Sequence, residues 1–135
     1  MTQRATGTFE VRMTPQAPDE KAGDPTIGRM ALDKQFHGDL EGASRGEMLA
    51  AMTSVQDSAG YVALERVRGT LAGRAGTFAL QHGGTMDRGK PSLTITVVPD
   101  SGTERLEGLT GTMAIRIEAG GKHFYDFDYA LPAAP

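Results

Sequence analysis

The stretch Tyr61–His82, YVALERVRGTLAGRAGTFALQH, limits the fold more than any other part of the chain. From Tyr61 to Arg68 the side chains alternate, with Tyr61, Ala63, Glu65 and Val67 on one face and Val62, Leu64, Arg66 and Arg68 on the other. That is the period of a strand. Leu71 to Gly76 brings Gly73 and Gly76 to the point where the chain must reverse, and alternation resumes with Phe78, Leu80 and His82 on one side. Strands joined so closely pair antiparallel. A lone hairpin is marginal in water, so further strands have to cover its apolar face.

The rest of the chain supplies them. Thr6–Met13 sets Phe9, Val11 and Met13 against Thr8, Glu10 and Arg12, and Pro15 and Pro18 end the run. Residues 16–26, rich in proline and charge, read as an exposed loop. Ile27–His37 follows with Met30, Leu32, Lys34 and Phe36 on one face, so Lys34, like Glu65, is a charge among apolar neighbours. Leu40–Thr53 places Gly42, Ser44, Gly46 and Met48 together. A short helix over Gly46–Val55 competes, because Glu47 to Met52 are good helix formers, but Gly42 and Gly46 suit the bends of a barrel and favour a strand. Gly83–Pro91 reads as a connection, and Ser92–Pro99 and Leu106–Glu118 as strands. His123–Leu131 closes the series, with His123, Tyr125, Phe127, Tyr129 and Leu131 opposite Asp126 and Asp128. The expectation is an all-β single domain over residues 1–135, a closed, calycin-like antiparallel β-barrel of about eight strands with room for one small ligand.

Composition narrows the function classes. The chain has 135 residues, eighteen of them glycine, and no cysteine, so neither disulfides nor thiolate chemistry contribute, which suits a cytoplasmic protein. The net charge is −3 and the basic residues form no stripe, which argues against nucleic acid as a partner. No apolar span is long enough for a membrane helix, and the first seven residues carry no secretory pattern, so membrane insertion and secretion are not expected.

Strand parity turns Glu65, Lys34, Tyr61, Tyr125 and His123 inward. Burial raises a carboxyl's pKa and would fit Glu65 for acid–base work near neutrality, while an adjacent ammonium such as Lys34 lowers it again. The same residues also read as a structural Glu65–Lys34 ion pair with tyrosine hydroxyls completing its hydrogen bonds. Glu65 and Lys34 are therefore candidate catalytic residues, and Tyr61, Tyr125, His123, Ser44 and His82 candidate ligand contacts. His82, next to the Gly83–Pro91 connection, reads as a proton carrier or gate at the rim, or as an anchor for loop carbonyls. The three histidines, His37, His82 and His123, lack metal-ligand spacing, Ser44 lacks a nucleophile elbow, and no glycine run has a phosphate-loop setting, so no metal or cofactor is expected.

The runs Gly7–Val11, Gly38–Gly42, Gly60–Ala63, Leu80–His82, Gly84–Met86, Val97–Thr103 and Phe127–Tyr129 together resemble an uncharacterised bacterial domain family with an allene-oxide-cyclase-like barrel. The resemblance spans nearly the whole chain and implies a closed barrel with an interior cavity. It implies no activity, because no allene oxide cyclase motif can be placed residue by residue. Two function classes follow. One is a barrel that binds a small apolar or amphipathic molecule; the alternative is a cofactor-free isomerase or cyclase acting on such a molecule. Either accommodates a homo-oligomer.

Overall fold

The computed structural model describes residues 2–17 and 23–133. Among these, eight strands follow one another: β1 (Gln3–Pro15), β2 (Gly28–Gly38), β3 (Leu40–Met52), β4 (Ala59–Leu71), β5 (Arg74–Asp87), β6 (Lys90–Val97), β7 (Thr110–Ile117) and β8 (His123–Ala130). Each pairs antiparallel with its neighbours, and β8 returns to β1, closing the barrel. One 3₁₀ turn, Glu104–Leu106, interrupts the β pattern. The loop expected over residues 16–26 lies partly outside the described residues; of the rest, Gln16, Ala17 and Gly23–Thr26 are exposed.

One expectation holds over its competitor and two change. Residues 46–52 are strand, so the competing helix does not form: Gly42 lies against the main chain of Gly69, and Gly46 against that of Glu65, as strands bent around a small barrel require. The connection expected over Gly83–Pro91 is nearly all strand, because β5 continues to Asp87 and the reversal takes only Arg88 and Gly89, both with positive φ. Gly84 packs instead of turning: the Tyr61 ring lies over it and leaves no room for a Cβ. The strand expected from Leu106 starts only at Thr110, because Leu106 and Leu109 are bent inward to plug the closed end.

The register determines who meets whom inside. From Arg4 the paired positions run through Asp128, Thr112, Thr96, Gln81, Leu64, Glu47 and Ala31 and come back to β1 at Thr14, ten residues further on. This stagger tilts the strands, so residues at one height belong to different register rows. At one end, which includes the β2–β3 and β4–β5 turns, Phe36, Leu40, Leu71, Phe78, Leu106 and Phe127 form a closed apolar plug. At the opposite end, β1, β3, β5 and β7 finish and the barrel has its mouth.

Candidate functional site

Lys34, Ser44, Glu65 and His82 come from four adjacent strands, β2 to β5, and meet inside the barrel directly above the plug. The Glu65 carboxylate, with no solvent exposure, is the hub. Its Oε2 accepts from Lys34 Nζ at 2.7 Å and from His82 Nε2 at 2.5 Å, and its Oε1 accepts from the Ser44 hydroxyl at 2.7 Å. Strand alternation turned these side chains inward; the ten-residue stagger brought them to one height. Gly46 stands directly opposite Glu65 on β3, and its missing side chain lets the two strands approach at the hub.

Burial pushes the Glu65 pKa up, but the His82 hydrogen bond and the Lys34 charge outweigh it and hold the pKa down to about 2. Glu65 is therefore a fixed anion near neutral pH. Lys34 also lies 5.2 Å from the centroid of the Phe9 ring, which covers its ammonium on another side.

The structure sorts the remaining candidates. Tyr61 lies half-buried over Gly84 on the mouth side of the hub, its pKa raised by burial and by Glu65. Tyr125 is remote from the hub: its hydroxyl accepts from the Leu40 N–H at 2.9 Å and donates toward the carbonyls of His37 and Leu40, tying β8 to the β2–β3 turn. Expected among the polar contacts of the lumen, it instead belongs to the closed end. The His123 ring lies tilted against that of Phe9, centroids 5.0 Å apart, without joining the hub. The hydrogen bonds expected from tyrosines to Glu65 are made by Ser44 and His82, because the stagger carries Tyr125 below the hub and Tyr61 above it. His82, expected at the rim beside a loop, sits mid-strand and only 4% exposed. Among the described residues, no three His, Asp, Glu or Cys side chains gather as a metal ion would require.

Two surface features were not anticipated. Toward the mouth, inward-facing apolar side chains remain in contact with solvent: Met13 is 53% exposed and Ile117 68%, with Met86 and Leu93 also exposed and Met30 and Met48 half-buried. They give the mouth an apolar, funnel-like rim on the same inward faces that carry the hub deeper in the barrel. Strand parity contained this signal, since Met13, Met30 and Met48 fall on inward faces. The second feature is a recess of about 1370 Å³ on the outer wall, floored by Leu49, Val62 and Leu64 and bordered by Arg29, Arg45 and Arg66. The buried carboxylate of Glu65 faces the other side of the same sheet. No helix among the described residues is long and apolar enough to cross a membrane.

A family model described as protein of unknown function (DUF3224) matches residues 5–129. A crystal structure of a protein of unknown function from that family, from Shewanella oneidensis MR-1, is 51% identical with a TM-score of 0.89, and the match covers 99% of this chain and 100% of that one. No curated protein matches.

Proposed function

The chain belongs to the DUF3224 family, whose function is unknown, and we propose from the geometry that its barrel binds a small amphipathic molecule. The molecule enters at the mouth, lays its apolar part along the methionine-lined funnel and sets its polar end against Lys34, Glu65, His82 and Ser44. One observation carries this reading. The inward faces above the hub are apolar and still exposed, in a barrel whose other end is sealed by Phe36, Leu40, Phe78 and Phe127. Methionine suits such a lining, because its flexible thioether repacks around ligands of different shape. A concave apolar surface converging on a few polar groups is the usual form of a small-molecule site.

Binding is favoured over turnover. An isomerase or cyclase using Glu65 needs a carboxyl that exchanges its proton near neutrality, and a pKa of about 2 leaves Glu65 without that proton. Native mass spectrometry of freshly purified protein tests the reading. The expected result is a retained small molecule that is released from Met30→Trp and Met48→Trp, variants that fill the funnel. Retention unchanged in both variants would place the molecule elsewhere and sink the reading.

A further inference from the structure

The hub leaves one polar atom unused. Glu65 receives three donors, and an ionised carboxylate can only accept, so the bond from His82 fixes the hydrogen on Nε2. In the neutral ring Nδ1 is then a lone-pair acceptor. Among the described residues Nδ1 has no hydrogen-bond partner, although every side-chain nitrogen or oxygen sealed from solvent has one. Nδ1 is therefore not wholly sealed, and the side chain that carries it points inward from β5. Charge is already balanced there, with the Lys34 ammonium 2.7 Å from the Glu65 carboxylate.

Resting on the lumenal reading above, we infer that His82 Nδ1 receives the ligand's polar end, and that this end is a neutral hydrogen-bond donor, an alcohol, not a carboxylate. A hydroxyl donates to Nδ1 with nothing else to compensate. A carboxylate has no hydrogen to donate, would meet the lone pair of Nδ1 and the negative charge of Glu65, and finds Lys34 already matched. Tyr61, half-buried on the mouth side, stands along the path such an alcohol takes.

The test uses 1-decanol and decanoate, which share a chain length, titrated calorimetrically into the whole protein at pH 8. Decanol is expected to bind at least about tenfold more tightly than decanoate, the worth of one hydrogen bond. His82→Phe should erase that preference. His82→Gln, which keeps one donor and one acceptor, should retain part of it. Equal binding of both probes to the native protein, or stronger binding of decanoate, overturns the inference while leaving lumenal binding standing, and needs no variant to fold. A decanol preference that survives His82→Phe overturns it as well. Binding of neither probe, or loss of binding on Leu64→Glu at the outer wall, overturns the inference and the lumenal reading together.

Discussion

Glu65 is a buried charge whose cost is offset by three hydrogen bonds, one of them from an ammonium, and that balance makes stability depend on pH. Its folded pKa of about 2 lies below the ordinary value of 4.5, so its contribution is fully present above pH 4.5 and is lost as the pH falls toward 2. The shift corresponds to about 3 kcal/mol. Two exposed carboxylates with lowered pKa values, Asp128 beside Arg4 and Asp24 bonded by Thr26, titrate in the same region, so the informative quantity is a difference between proteins. Urea unfolding from pH 6 to pH 2 should show Glu65→Gln less stable than the native protein at pH 6 by about 3–5 kcal/mol, because Lys34 is left buried without its anion. The gap should narrow steadily below pH 4.5. Parallel acid profiles would mean that the carboxylate is not held down in the folded protein. The sequence announced both charges by their parity, Lys34 among Met30, Leu32 and Phe36, and Glu65 between Ala63 and Val67. It did not announce Ser44 and His82 as their partners. Those contacts cross between strands, and nothing local in either segment encodes which side chains share a height.

Among the elements, β3 and β4 position the hub, and the close approach between them depends on Gly46. A Cβ there would lie 2.6 Å from the Glu65 Cα and 2.8 Å from its Cβ, distances that packed atoms do not adopt. Gly46→Ala should therefore cost about 1–3 kcal/mol, the usual range for overpacking, and displace Glu65 from its partners. Gly83→Ala is the matched comparison: the position faces outward on β5 with open space around it, and the change should stay within about 0.5 kcal/mol. Thermal unfolding of the two variants measures both, and similar losses would mean that close approach at the hub is not what Gly46 provides. The alternation of each strand was legible along the chain, including that of β3 against the helix-forming run Glu47–Met52, because Gly42 and Gly46 fit a bent strand better than a helix. The extent of β5 was not. Gly83 and Gly84 look like turn residues until the Tyr61 ring occupies the space above Gly84, a contact with another strand.

The whole molecule is a closed barrel with one thin seam. β4 and β5 pair along their full length, whereas β6 and β7 join through a single pair, Thr96 with Thr112. Past that pair, the edge of β5 is covered by the loop that follows β6: Thr103 N–H donates to the Thr77 carbonyl, and Val98 N–H to that of Ala79. Hydrogen exchange should thus be fastest, among strand amides, on β6 and β7 near the mouth, and slowest on β4 and β5. Uniform protection around the barrel would rule the seam out as its weakest point.

By itself the sequence determined an all-β chain of about eight strands and the side of each strand that faces inward, because alternation is a property of neighbouring residues along one strand. The ten-residue stagger, the meeting of Lys34, Ser44 and His82 on Glu65, the removal of Tyr125 to the closed end and the recess on the outer wall were decided only in three dimensions. Each depends on how far one strand slides past the next before the ring closes, a displacement set by packing around the whole circumference and written in no single segment.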